Sequence, residues 1–474
     1  MLNARAISTR ERIRLLGGLA GATVGAGSAA LPAREADAAG LPDIIVLVLN
    51  DARDGDQVAM PQTMAKFGAD GTTFRNFFMT TSLCCPARAT ILTGLYPHHH
   101  GVYDNSDGKH GGWQGFVKNG NRSRSTGPLL QAAGYRTVGL GTYLNGARPG
   151  KGPEPGWNVA IMAQEKAAGK GKKGKKGKGK KKKSSGKTRM IGALGDDQMI
   201  ATVAAELAAT PVSQPLYFHV GFNTPHFPAI PGPAYAGRFA GAQVARDASF
   251  NEADVSDKPA YVRKLGGLKP GHEAWLDALH QRRLECMAAL DDALNMLWPA
   301  ILARGKADNT YVFLFTDNGH LMGQHRLYGK IAPYDSSSRF PLYALGPGFT
   351  PATVDDRLVN NADIAPTLVA VSGAAGGGMD GVSLLSAHNR SGALLESLSK
   401  SVDSMNWPGP RTSITPYRAV RTAQHLYVEY RGSGRELYDY AADPYELQNL
   451  LAHGGDATAA ALGAQLSGLL QSLG

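Results

Sequence analysis

The 474-residue chain is 43% hydrophobic and 19% charged, which excludes an intrinsically disordered polymer and allows one large core with a smaller appendage. A net charge of +11 points to a nucleic-acid or membrane partner until the lysines are located. Eleven of them lie between Lys170 and Lys187 with no acidic residue among them, so the rest of the chain is formally neutral and no specific nucleic-acid interface is expected.

Residues 1–39 read as an export signal. Arg5, Arg10, Arg12 and Arg14 precede an uncharged, apolar run from Leu15 to Leu31, and Ala36-Asp37-Ala38 offers a cleavage site. The chain is therefore expected to be exported, by the general or the twin-arginine route, to an extracellular, periplasmic or cell-surface location. No other stretch reaches the ~20 uninterrupted apolar residues of a membrane span. Asp43 to Leu49 is a near-continuous apolar run ending in Asn50-Asp51, as a strand buried on both faces of a parallel sheet reads.

Cys84-Cys85-Pro86-Ala87-Arg88 opens a short helix expected over Pro86 to Thr93, with proline at its first position and Gly94 as its stop. Cys84 then lies at the helix's positive end, where unpaired N–H groups and Arg88 favour an anion. Taken alone, two adjacent cysteines also fit a buried or vicinally bonded pair of thiols.

Tyr135 to Leu140 and Leu216 to Val220 read as further buried strands, and residues 166–189 between them as a disordered, solvated insertion able to contact polyanions. Glu273 to Leu302 has apolar residues near helical spacing, and Cys286 within it reads as a buried free thiol. Tyr311 to Thr316 reads as another buried strand, ending in Asp317-Asn318-Gly319. Alternating strands and helices argue for a layered α/β domain over 40–385. Beyond it, Tyr417–Thr422, His425–Tyr430 and Glu436–Asp439 alternate like antiparallel strands and Ala457–Leu473 is striped like a helix, giving a small α+β subdomain over 386–474.

The segment from Ser82 through Gly94 resembles the C-x-P-x-R signature of the type I sulfatases, with Ala87 where serine is more usual. Asp443-Pro444-Tyr445-Glu446-Leu447-Gln448-Asn449-Leu450 resembles the family's closing phrase. The resemblance implies an alkaline-phosphatase-like fold, a large mixed sheet sandwiched by helices. It implies that a maturation enzyme oxidises Cys84 to formylglycine, whose hydrate attacks sulfur through one hydroxyl and expels sulfate when the second collapses to the aldehyde. The substrate class is a sulfated carbohydrate or aryl sulfate, and Leu83-Cys84-Cys85-Pro86 and Tyr143-Leu144-Asn145 look most like the glucosamine-6-sulfatase branch.

Asn50, Asp51, Asp317 and Asn318 follow two strand ends, where ligands gather in open α/β sheets. Their all-oxygen chemistry suits calcium, or magnesium, rather than zinc. By resemblance these four residues and modified Cys84 form the metal site, with Asn50 replacing a more usual aspartate. The phrase Thr224-Pro225-His226-Phe227-Pro228 resembles the element whose histidine contacts sulfate and protonates the leaving oxygen. Lys330 matches the sulfate-binding lysine, and Arg88 is the cation of the signature. His325 and Asn145 are expected on the substrate side, and His98-His99-His100 in packing.

Gly134 to Asn145 resembles the second family signature, with Thr142 where a sulfate-binding lysine is expected. Losing one charged donor costs about 2–4 kcal/mol of transition-state stabilisation, unless Arg88 and Lys330 suffice or Arg136 or Arg148 reaches in. Two other readings stay open: a phosphonate monoester or phosphodiester hydrolase on the same scaffold, and a catalytically weakened carbohydrate-binding relative.

Overall fold

A computed structural model of the chain describes residues 40–147, 154–163, 195–399, 407–432 and 434–474. Residues 1–39, where an export signal is expected, the insertion 166–189 and Arg148 lie outside the described residues.

Asp43–Leu49 and Thr310–Thr316 form the centre of an eight-stranded sheet, and every residue of both is buried. Strands covered on both faces need such near-unbroken apolar sequence. The sheet order is Thr353–Asp355, Thr72–Phe74, Leu342–Leu345, Thr310–Thr316, Asp43–Leu49, Leu216–Gly221, Arg136–Thr142, Val159–Ala163. Leu342–Leu345 runs antiparallel to both its neighbours, and every other pairing in the sheet is parallel. Leu49 pairs with Thr316 and Val48 with Gly221, so the carboxyl ends of three central strands open onto one edge.

Helices Pro61–Asp70, Asp196–Ala209, Pro270–Asn295 and Leu297–Ala303 pack together as one group, and Cys84–Thr93, Thr126–Ala132 and Ile364–Ser372 as another. The helix expected over 273–302 is broken at Met296. Pro299 explains the break: it lacks the N–H that the Asn295 carbonyl would accept, and its ring crowds that carbonyl.

The second sheet is antiparallel, in the order Ala393–Ser397, Tyr417–Arg421, His425–Tyr430, Arg435–Asp439, with helix Ala457–Ser472 against it. Its Leu395, Tyr417, Leu426 and Val428 share one apolar cluster with Phe78, Leu83 and Tyr334 of the larger part, and the described residues form one compact unit. Cys286 is free and buried, its thiol pushed up to about 12 chiefly by burial.

Candidate active site

The helix carrying Cys84 begins earlier than its sequence suggests. It spans Cys84–Thr93, so Cys84 lies in the first turn rather than outside it, and Pro86 is the third residue. Proline is tolerated there because the first N–H groups of a helix have no partner within it. One of those N–H groups is met from outside: Cys85 N donates to Asn105 Oδ1 at 2.8 Å. At the other end Gly94 adopts φ 69° and closes the helix, its N–H on the Thr90 carbonyl at 2.8 Å.

The strand register brings Asp51, Cys84 and Asp317 together, with one potential ligand atom from each within 4.8 Å of the others. Asp51 N donates to Asp317 Oδ1 at 3.1 Å, and Asn318 Nδ2 to Asp51 Oδ1 at 2.8 Å. Lys330 Nζ donates to Asp51 Oδ1 at 2.5 Å and to Cys84 Sγ at 2.8 Å. Arg88 links two strand ends: Nε donates to Asp317 Oδ2 at 2.9 Å and Nη1 to the Thr142 carbonyl at 2.7 Å. That approach needs Gly221, where an added Cβ would stand 1.9 Å from the Thr142 carbonyl oxygen and 2.9 Å from Arg88 Nη1. Asp51 itself holds φ 64°, a costly conformation for a residue with a side chain, of the kind stored at functional sites.

His226 Nε2 lies 3.6 Å from Asp51 Oδ2. Its Nδ1 meets the Phe227 carbonyl at 2.7 Å, and a carbonyl only accepts, so Nδ1 carries the hydrogen and Nε2 faces the cluster. Burial pushes the Asp51 carboxyl upward, but Lys330, His226 and His320 outweigh it and hold it far below the usual carboxylate range. Burial dominates at Asp317, which is raised despite Arg88.

The donor set fits a hard divalent cation. Asn50 Oδ1 and Asn318 Oδ1 are buried with no hydrogen-bond partner, beside two buried carboxylates. Orphaned buried oxygens of this kind are rare and are what an oxygen-coordinated ion would satisfy.

Other expected residues fall elsewhere. His325 has no exposed surface with which to meet a substrate: its Nδ1 pairs with Glu252 Oε2 at 2.7 Å and its Nε2 faces Glu446 Oε2 at 3.6 Å. Arg136 does not replace the absent lysine, because Glu206 engages its Nε and Nη2 at 2.9 and 3.2 Å. Thr142 is at the site but brings no charge, its buried Oγ1 unpartnered. Asn145 is half-buried and its backbone carbonyl accepts from Trp113 N at 2.7 Å. His100 is held neutral in the core, its pKa lowered to about 3 by burial, with Nδ1 accepting from Val102 N at 3.0 Å.

Sequence reading missed three participants. Asn105 supplies the helix cap. His320 is buried with Nδ1 3.7 Å from Asp51 Oδ2, and neither ring nitrogen has a hydrogen-bond partner. Its place directly after Asp317-Asn318-Gly319 was the available signal. Arg283, in mid-helix, donates to the Asp51 carbonyl at 2.5 Å and carried no local signal at all.

The chain belongs to the sulfatase family: the Sulfatase model matches residues 42–374, and the model of the N-sulphoglucosamine sulphohydrolase C-terminal region matches 323–473. It is 31% identical over 344 residues to an extracellular sulfatase Sulf-1 homolog of Caenorhabditis elegans, across 69% of this chain and 46% of that protein. The chain thus spans less than half the length of that relative. It is 28% identical over 447 residues to the N-acetylglucosamine-6-sulfatase of Capra hircus, across 86% of this chain and 79% of that protein. A similar solved structure is that of a protein in complex with its substrate D-glucosamine-2-N,6-O-disulfate. It has a TM-score of 0.72 and 19% identity, across 91% of this chain and 97% of that one.

Proposed function

We propose that this protein is an exported sulfuric ester hydrolase that releases inorganic sulfate from a sulfated sugar of the glucosamine type or an aryl sulfate. The observation that carries the reading is the convergence of Cys84, Asp51 and Asp317, with Lys330 donating to both Cys84 and Asp51. The names of the relatives supply the substrate class.

Oxidation of Cys84 by a maturation enzyme would supply the aldehyde whose hydrate is the nucleophile. A calcium or magnesium ion held by Asn50, Asp51, Asp317 and Asn318 would polarise the sulfate group. Lys330 and Arg88 place two fixed positive charges beside the nucleophile, where negative charge grows in the transition state, and low exposure makes each worth more than it would be in water. His226 presents Nε2 to the same space, with Nδ1–H tied to the Phe227 carbonyl, so protonated Nε2 is the group to hand a proton to the departing oxygen.

The test is sulfate release from glucosamine 6-sulfate, alongside paired sulfate and phosphate esters of one aryl alcohol. Faster turnover of the sulfate ester is expected. A preference for the phosphate ester, or for a phosphonate monoester, would instead favour the phosphonate and phosphodiester hydrolase reading.

A further inference from the structure

Arg283 stands fully buried on helix Pro270–Asn295, and its guanidinium joins two backbone carbonyls and one carboxylate that meet at the site. Nη2 donates to the Asp51 carbonyl at 2.5 Å and to Asp56 Oδ2 at 2.6 Å, while Nη1 reaches the Pro225 carbonyl at 3.3 Å. Asp56 Oδ2 also accepts from Arg53 N at 2.9 Å, closing the turn that follows Asp51. Asn50 N in turn donates to the Thr224 carbonyl at 3.0 Å, so the tip of the first strand and the loop carrying His226 are stitched side by side.

We infer that Arg283, paired with Asp56, is a positioning residue that fixes both the cation-binding strand tip and the His226 loop, and so sets divalent-cation affinity and turnover together. It touches no reacting atom. Its two backbone acceptors belong to Asp51, held at φ 64°, and to the residue before His226. A positive φ on a non-glycine residue persists only where surrounding contacts over-determine it, and a planar fork with several donors can meet such contacts at once. Lysine carries three donors on one nitrogen and lacks the spread fork that reaches both carbonyls and the Asp56 carboxylate at once.

The inference rests on the cation site proposed above, and its test separates the two. Calcium binding is measured by titration calorimetry on the purified full chain, without substrate, for the wild type, Arg283→Lys and the double variant Asp56→Asn/Arg283→Gln. The double variant removes the ion pair without leaving one charge buried alone, the usual cause of misfolding when a buried pair is halved. Both variants are expected to bind calcium about 10-fold more weakly or worse, the usual size of effect for groups that orient metal ligands. Their kcat for sulfate release should fall about as far, with KM shifted less than ~3-fold, because the substrate's own contacts are untouched. A folded variant that binds calcium and turns over within ~2-fold of the wild type would overturn the inference while leaving the proposed function standing. Failure of the wild type itself to bind calcium or magnesium would remove the cation site and this inference with it.

Discussion

Two of the buried polar clusters among the described residues differ in how completely their groups are satisfied. Beneath the second sheet, Glu436 accepts from Tyr334, Tyr430 and Tyr438 at 3.0, 2.6 and 2.7 Å, while Glu252 and Glu446 flank His325. Lys258 is 3.2 Å from the second Glu252 oxygen and 3.0 Å from Asp257. Around Cys84, by contrast, both side-chain heteroatoms of Asn50, Asn318 Oδ1 and both nitrogens of His320 have no hydrogen-bond partner. A nearly saturated network fastens one part of the fold to another; a network with orphaned oxygens is shaped for something that binds there. Charge and burial alone would not have told the two apart.

Cutting each cluster in turn sharpens that contrast. The largest effect is expected from Cys84→Ala, which removes the proposed nucleophile and should lower sulfate release by at least about 10^4-fold while leaving thermal unfolding nearly unchanged. Asp51→Asn should lower turnover by about 10^2-fold or more and weaken calcium binding, because a proposed charged ligand becomes neutral in a buried site. Both are read by comparing initial rates with the unfolding midpoint of the same preparation.

The more nearly satisfied cluster, in which His325 Nε2 lacks a hydrogen-bond partner, should answer in stability alone. Burial opposes the charged form of His325, but Glu252 and Glu446 raise its pKa to about 9 from an ordinary value of 6.5. A raised histidine contributes its full stabilisation below pH 6.5, and that contribution is lost as pH climbs through about 9. The loss amounts to about 3 kcal/mol, and His325→Gln should flatten the corresponding slope in a denaturation series across that range. Glu436→Gln is the smallest change, expected to cost about 1–3 kcal/mol by disturbing three tyrosine donors, with sulfate release per folded molecule unaffected.

The strand tips were legible because strands buried on both faces announce themselves as apolar runs, and their ends at Asn50-Asp51 and Asp317-Asn318 could be read directly. Cys84 and Arg88 were legible from their motif. The helix start was misplaced by two residues because proline suits the whole first turn, and the cap from Asn105 comes from a separate loop. Thr72–Phe74, Leu342–Leu345 and Thr353–Asp355 are too short to show a period. His325 looked available for substrate because its two carboxylate neighbours, Glu252 and Glu446, are remote in sequence. Arg283 sits 232 positions from Asp51, on a helix face that any buried side chain would fit.

The most direct test of the account is the mass of the peptide containing Cys84, isolated from protein made in its own host. Conversion to formylglycine predicts a mass about 18 Da below that of the cysteine form, since the thiol gives way to an aldehyde at the nucleophile. A peptide carrying only unmodified cysteine, from protein that nevertheless hydrolyses sulfate esters, would contradict it.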